Sequence, residues 1–159
     1  MDINYNELEQ EIIEVLEKNK IWILSTSEND IVTSRAMSVV NEGLNIYFQT
    51  SKGYIKHEQM KKNKNVALCY NNVSIEGIAE ELGSWKEEKN SDLLKLYKTH
   101  HKGSFDAYGS LEGQVVYKVI PKSIKIWKYV NGKAIREFLY IDEKKALRLG
   151  FEAEPDIKK

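Results

Sequence analysis

Apolar and polar residues alternate along most of the chain, and this alternation predicts a sheet of short strands. Extended chain turns successive side chains to opposite faces, so a period of two marks a strand. Such strands are predicted at 21–25, 32–40, 44–49, 65–70, 73–82, 114–120, 124–129 and 134–141. The first of them (IWILS) is apolar up to its final Ser25 and is expected to be buried on both faces. Tight turns between the strands favour an antiparallel sheet, and their number suits a closed barrel.

Helical spacing appears in three segments between the predicted strands. Residues 4–19 place Leu8, Ile12 and Leu16 on one face, and Asn4 with Glu7 can form a capping box. A lysine-rich helix is predicted over 51–64 and another helix over 84–101. Residues 102–113, rich in Gly, Ser and aromatic residues, are expected to form a loop, and loops of this length are often functional.

Glycine, asparagine and proline residues along the chain indicate turns, and a charged C-terminal stretch indicates a tail. Asn41-Glu42-Gly43 and Asn131-Gly132 are hairpin turn signals, while Gly77 inside a strand indicates a bulge or a close backbone approach. Pro121 is expected to end a strand. From residue 142 the chain is predicted to form a tail that holds a short amphipathic piece over 145–149 and then a frayed charged end. We therefore expect a mainly β, α+β fold, with 1–159 as a single domain.

Composition narrows the classes of function. The 24 basic and 24 acidic residues balance, so nothing global points to nucleic acid or to a membrane surface. The N-terminal residues lack a hydrophobic run, so neither a signal peptide nor a membrane span is expected. Cys69, the single cysteine, excludes an intrachain disulfide and fits a reducing cytoplasm. Its apolar strand predicts a small buried residue.

Metal and nucleophile chemistry find little support. His100 and His101 are adjacent, so on a helix their side chains point about 100° apart, and no Cys, Asp or Glu stands at ligand spacing. His57 is expected at the surface. No Gly-rich phosphate loop and no Ser-His-Asp order is present. We therefore predict no metal site.

An anion site is the strongest chemical signal. Arg35 lies in a strand of small and apolar residues, and one strand later Thr50 and Ser51 open the lysine-rich helix. A helix N-terminus presents free N–H groups and a positive dipole end, both suited to an anion. Arg supplies a planar fork for phosphate oxygens, and Lys56 supplies a point charge. If the hairpin brings these residues together, they form a phosphate cradle.

The same stretch resembles the FMN-binding split-barrel family of pyridoxamine 5'-phosphate oxidase-like proteins, above all its small members similar to general stress proteins. The resemblance covers roughly residues 5–130. Its motifs are Arg35-x-Met37, Gly43-Leu44-x-Ile46-Tyr47-Phe48-x-Thr50-Ser51, Lys56 and Asn63-x-Asn65-Val66-Ala67-Leu68. The chain departs from the family pattern at Tyr54, where a Ser is usual, and at Asn63-Lys64, where Asn-Pro is common. These departures bear on the phosphate contacts more than on the fold.

The resemblance implies an antiparallel split β-barrel with peripheral helices and two FMN sites at a homodimer interface. Arg35 and Lys56 would neutralise the FMN phosphate, and Thr50 and Ser51 would donate hydrogen bonds to it. The ring would be held by a set of largely backbone groups and a late-strand aromatic residue: Ala36, Met37, Ser38, Gln49 and Trp127. Plainer roles stay open, since Met37 fits a core, Thr50 and Ser51 fit a helix cap, and Trp127 fits core or interface packing.

The implied activity is redox chemistry at the flavin, with a small-molecule substrate or an electron donor such as NAD(P)H. A true pyridoxamine phosphate oxidase is not expected, because the family's Arg-x-His motif is replaced by Arg136-Glu137-Phe138. One alternative is a haem or deazaflavin protein of the same fold, with His100 or His101 as the haem ligand. Another is a flavin-binding or redox-sensing module without turnover. A third is a nucleic-acid contact through the basic helix, which salt would weaken steeply.

Overall fold

The computed structural model describes residues 1–150, and the predicted frayed end lies outside this part of the chain. Within it, the helices are α1 (Tyr5–Lys18), α2 (Ile55–Lys62) and α3 (Ser91–Ser104). The strands are β1 (Ile21–Glu28), β2 (Ile31–Ser38), β3 (Val40–Glu42), β4 (Asn45–Ser51), β5 (Asn65–Tyr70), β6 (Val73–Gly83), β7 (Gln114–Val130), β8 (Lys133–Tyr140) and β9 (Lys145–Gly150). No helix among residues 1–150 is long and apolar enough to cross a bilayer.

All nine strands join one antiparallel sheet, which confirms the predicted class of fold. The order is β2-β1-β5-β6-β7-β4-β3, and β8 and β9 extend from the second half of β7. The sheet curls into a barrel that is not closed, since β2 pairs only with β1 and leaves a split before β4. The closed barrel expected from strand number was therefore wrong, and the split leaves two free strand edges facing each other.

Helix α1 fills one end of the barrel. The Glu7 N–H donates to Asn4 Oδ1 at 3.1 Å, so the predicted N-cap is present. Leu8, Ile12 and Leu16 are buried and pack with Trp22 of β1 in the main core. The amphipathic pattern is therefore satisfied by the barrel interior.

Strand β1 is buried on one face only, so the expectation that both of its faces are buried was wrong. Trp22 and Leu24 are fully buried, but Ile21 and Ile23 are 52% and 43% exposed. Cys69 of β5 pairs with Ile23 of β1 and is exposed as well, so the expectation that it is buried was wrong. We call the side of β1, β2 and β5 that bears Ile21, Ile23, Val32, Ser34, Ala36, Ala67 and Cys69 the outer face. It combines exposed apolar side chains with serines, and it lies away from the core.

Two further segments differ from the sequence expectations. Residues 102–109 continue α3 into a π-helical turn, Phe105–Gly109, where a loop was expected. Residues 145–150 form strand β9 against β8 rather than part of a tail. In both cases neighbouring elements supply packing or ladder hydrogen bonds that a local pattern does not reveal.

Strand β7 runs through Pro121, which was expected to end it. A β-bulge accommodates the proline: Gly77 pairs with Pro121 and Glu76 with Ser123, so Lys122 is an extra residue on β7. The predicted close backbone approach at Gly77 is confirmed, because a Cβ atom there would lie 2.6 Å from the Ile120 carbonyl oxygen.

We expect Gly77→Ala to lower the free energy of unfolding by about 1–3 kcal/mol, since the added methyl group overpacks β6 against β7. Urea denaturation followed by tryptophan fluorescence measures the change. Gly103→Ala is the matched control, because nothing lies within 4 Å of a Cβ atom at Gly103. Equal stability of the two variants would contradict the close approach.

Candidate functional site

A cavity of about 220 Å³ lies at the split between β2 and β4. Seven of the nine predicted site residues line it: Ala36, Met37, Ser38, Gln49, Thr50, Ser51 and Lys56. The opposite wall comes from α3 and the π-helical turn, through Tyr97, Ser104 and Tyr108. The structure therefore brings most of the predicted residues together. That they bind a flavin stays a prediction.

Free backbone edges border the cavity. Strand β3 pairs with β4 only over residues 45–47, so the edge of Gln49–Ser51 that faces away from β7 has no strand partner. The edge of β2 that faces away from β1 is likewise unpaired. Unpaired backbone N–H and C=O groups require partners when water is excluded. The two edges can therefore bind a planar, polar ligand between them.

Arg35 lies beside the cavity, on the side of β2 that faces α2. Its Nη1 donates to the Leu24 carbonyl and to Thr26 Oγ1, and its Nη2 donates to Thr33 Oγ1. Among the described residues, none of these partners is a carboxylate. Partial burial lowers the pKa of Arg35, although the guanidinium stays charged at any physiological pH. A half-buried cation without an acid favours an anionic ligand.

Lys56 adds a second cation next to Arg35. Burial lowers the pKa of the Lys56 ammonium, and the nearby positive charge of Arg35 lowers it further. The Nζ atom lies 4.4 Å from the centre of the Tyr54 ring. This cation–π contact holds Lys56 at the cavity. Tyr54, the departure from the family pattern, thus supports the lysine directly.

Thr50 is a buried polar residue without a partner. Its hydroxyl is inaccessible, and no hydrogen-bond partner lies within reach in the described part of the chain. Such groups are rare because each one left unpaired costs about 1–3 kcal/mol. Thr50 also lines the cavity, so this hydroxyl is a candidate hydrogen-bond partner for a polar ligand there.

The helix that follows begins later than predicted. Thr50 and Ser51 end strand β4, and α2 begins at Ile55 with Tyr54 as its N-cap. Tyr54 makes no side-chain capping bond, while Ser51 Oγ accepts from the Gly53 N–H at 3.2 Å. Thr50 and Ser51 are therefore not the helix cap. The strand extends further because both residues pair with β7.

A second apolar cluster supports the α3 wall of the cavity. The Trp85 indole N–H donates to Gln49 Oε1 at 2.8 Å, and Trp85 packs against Tyr97 with ring centres 5.2 Å apart. Gln49 is thus fixed by its side chain at the wall of the cavity. The helix predicted over 84–101 begins only at Ser91, and Trp85 lies in the turn before it. Ser104 and Tyr108 were missed as site residues, because their segment was expected to be a loop.

His57 and Tyr117 form a buried pair beneath α2. Tyr117 Oη lies 2.8 Å from His57 Nδ1. Burial chiefly raises the pKa of Tyr117 to about 12, so the phenol keeps its proton at neutral pH. Burial also lowers the pKa of His57, which favours the neutral ring. His57, expected at the surface, instead anchors α2 to the barrel.

Three sequence candidates lie away from the cavity. Trp127 is 46% exposed on β7, beyond the bulge, and is not among the lining residues. His100 is exposed, whereas His101 is buried with Nε2 2.8 Å from the Val39 carbonyl. Within residues 1–150, no group of three or more His, Cys, Asp or Glu side chains is arranged to hold a metal ion.

No protein-family model matches the chain. General stress protein 26 of Bacillus subtilis is 34% identical over 129 residues, which span 78% of this chain and 91% of that protein. A Clostridium acetobutylicum protein related to general stress protein 26, of the pyridoxinephosphate oxidase family, superposes with a TM-score of 0.65 at 20% identity. That match covers 89% of this chain and 99% of the other.

Two more distant structures share the fold and differ in their ligands. A FAD-binding protein from Mesorhizobium loti has a TM-score of 0.59 at 14% identity, covering 72% of this chain and 90% of its own. The heme storage protein HutZ from Vibrio cholerae has a TM-score of 0.61 at 13% identity, covering 72% of this chain and 89% of its own. At these identities the likeness concerns the fold alone.

Proposed function

The chain belongs to the general stress protein 26 group of the pyridoxamine 5'-phosphate oxidase-like split-barrel family, and we propose that it binds FMN at the split between β2 and β4 and acts as a flavin-dependent oxidoreductase. The observation that carries the proposal is a pair of neighbouring cations, Arg35 and Lys56, that no carboxylate among residues 1–150 neutralises, next to a cavity lined by the buried Thr50, whose hydroxyl has no partner in the same part of the chain. A ligand that combines a dianion with a polar ring satisfies all three groups.

The residues present fit FMN part by part. Arg35 and Lys56 supply the charge for the phosphate, and Thr50 and Ser51 supply hydroxyls. The free edges at Ala36–Ser38 and at Gln49 offer backbone groups to the polar rim of the ring. Tyr97 and Met37 give the cavity apolar walls that exclude water.

FMN, when bound, supplies the redox chemistry, and the protein's part is to bind, orient and shield it. We expect NAD(P)H or a small-molecule reductant to be its electron donor. Arg136, Glu137 and Phe138 lie on β8, and Glu137 is buried in an ion cluster, so no Arg-x-His substrate site stands there. Haem is disfavoured, because neither His100 nor His101 is among the residues that line the cavity.

Titration with FMN and with riboflavin tests this proposal. Because riboflavin lacks the phosphate, we expect FMN to bind at least about 30-fold more tightly, the order expected from charge-assisted hydrogen bonds to a phosphate. Equal affinities would overturn the phosphate site. Anaerobic mixing of the FMN-loaded protein with NADPH then separates the two classes of function: bleaching of the flavin supports an oxidoreductase, and a stable oxidised spectrum identifies a binding module.

We further propose a homodimer formed through the outer face. Ile23 and Val32 are 43% and 66% exposed on this face, a burial pattern that a second copy would complete. The cavity of 220 Å³ is smaller than the roughly 300–1,000 Å³ usual for small-molecule sites, so a partner is expected to complete it.

With Cys69 as the single cysteine of the chain, a reducing cytoplasm is the expected setting.

Ile23→Lys should weaken dimerisation by at least about tenfold, because it places a charge among the exposed apolar side chains of the outer face. Analytical ultracentrifugation over a range of concentrations measures the dimer. Ile31→Lys is the matched control, since Ile31 is 63% exposed on the neighbouring strand but on the opposite side of the sheet. A dimer that survives Ile23→Lys would place the interface elsewhere.

A further inference from the structure

A directed hydrogen-bond relay connects Arg35 to helix α2. Thr26 Oγ1 accepts from Arg35 Nη1 at 2.8 Å and lies 2.6 Å from Gln59 Oε1. Thr33 Oγ1 accepts from Arg35 Nη2 and lies 2.7 Å from the same Gln59 oxygen. Since a guanidinium only donates and a carbonyl oxygen only accepts, each threonine must accept from Arg35 and donate to Gln59.

The relay is polar at every position, and its two central members are buried. Thr26 is 1% exposed and Gln59 is 4% exposed. Gln59 Nε2 donates in turn to the Ile31 carbonyl at 3.4 Å, which fixes the amide orientation. Buried networks with every member paired are rigid, and losing one member leaves the others unsatisfied. The guanidinium is therefore locked in one orientation.

This lock leaves one edge of Arg35 for a ligand. Three of its five N–H groups are taken by Leu24, Thr26 and Thr33. The two that remain are Nε–H and the second Nη2–H, which lie side by side on one edge of the guanidinium plane. That edge is the fork that binds two oxygens of a phosphate.

We propose that Gln59, Thr26 and Thr33 are positioning residues, which hold the Arg35 fork toward the phosphate of the bound ligand. The inference rests on the proposed FMN site and deepens it. Gln59 also belongs to the same helix as Lys56. The residues act through Arg35 and do not touch the ligand.

A second contact between α2 and β1 provides the control. Asn63, at the end of α2, donates from Nδ2 to Ser27 Oγ at 3.0 Å. Asn63→Ala removes a helix–strand hydrogen bond without affecting Arg35. If Gln59 merely docks the helix, both substitutions will change ligand binding alike.

The test compares FMN and riboflavin affinities across these variants. Gln59→Leu should weaken FMN binding about tenfold, the order expected when an oriented charge-assisted hydrogen bond is lost, and should change riboflavin binding less than about twofold. Asn63→Ala should leave the ratio of the two affinities unchanged. In an Arg35→Ala background, Gln59→Leu should have no further effect on FMN.

Thr33→Val and Thr33→Ser keep the test independent of folding. Valine keeps the shape and removes the hydroxyl, so FMN affinity should fall; serine keeps the hydroxyl and should restore it. Retention of the FMN preference in Gln59→Leu would overturn the positioning role while leaving the FMN site intact. A wild-type protein without any preference for FMN would instead overturn the proposed function itself.

Discussion

Arg35→Ala is expected to weaken FMN binding about 100-fold or more while the barrel stays folded. The substitution removes the bidentate edge of a half-buried guanidinium and half of the positive charge that faces the phosphate, losses of about 1.5–3 kcal/mol for each charge-assisted hydrogen bond. Riboflavin affinity should change little, because riboflavin has no phosphate. Equilibrium titration of flavin fluorescence measures both constants.

Salt and a neighbouring lysine provide the controls for Arg35. Affinity of the native protein for FMN should fall as ionic strength rises, and this dependence should be weaker in Arg35→Ala. Lys61→Ala removes an exposed charge from helix α2, which also carries Lys56, and should change FMN affinity less than about twofold. Equal loss of FMN and riboflavin in Arg35→Ala would show that Arg35 supports the fold and not the phosphate.

Glu137→Gln is expected to lower the free energy of unfolding by about 3 kcal/mol. The carboxylate is 2% exposed and contacts Lys128 Nζ at 2.7 Å and Arg148 Nη2 at 2.6 Å. Lys128 also pairs with Glu11, so the cluster joins α1, β7, β8 and β9. An amide in place of the carboxylate takes this partner away from Arg148 and leaves Lys128 with Glu11 alone. The partial exposure of both cations to water keeps the loss at the lower end of the range for buried ion pairs.

Urea denaturation measures this loss, with the exposed Lys122–Asp142 pair as the control. Asp142→Asn should change stability by less than about 1 kcal/mol, since surface ion pairs contribute little. A Glu137→Gln protein as stable as the native one would show that water satisfies the two cations without the carboxylate.

Local sequence signals predicted much of the fold. Asn131 and Gly132 both take positive φ in the β7–β8 turn, as an Asn-Gly hairpin requires. Gly77 within a strand predicted a close backbone approach, and the alternation of apolar and polar residues predicted most of the strands. These signals succeed because turn geometry and the side-chain period depend on near neighbours.

Signals that depend on distant neighbours were missed. Pro121 stays within β7 only because β6 supplies a bulge opposite it. Strand β1 looked buried on both faces because Ile21 and Ile23 are apolar, although they lie on the exposed outer face. The proposed homodimer accounts for that mismatch, since a second copy would cover both residues.

The candidate site likewise has a part that near neighbours in the sequence predicted and a part that depends on distant residues. Arg35, Thr50 and Lys56 lie within one strand–turn–strand–helix unit, so their order along the chain indicated a common site. The relay through Thr26, Thr33 and Gln59 joins residues up to 33 positions apart, and no local pattern encodes it. The sequence showed Glu137 only as part of a missing motif, because its partners Lys128 and Arg148 lie on two other strands, β7 and β9.

The visible spectrum of the purified protein, with mass spectrometry of the compound that acid releases, tests the central claim most directly. We predict the two absorption bands of oxidised flavin and a released mass equal to that of FMN, with both absent in Arg35→Ala. A colourless protein that also fails to bind added FMN at micromolar concentration would contradict the claim, even if the split-barrel fold is correct.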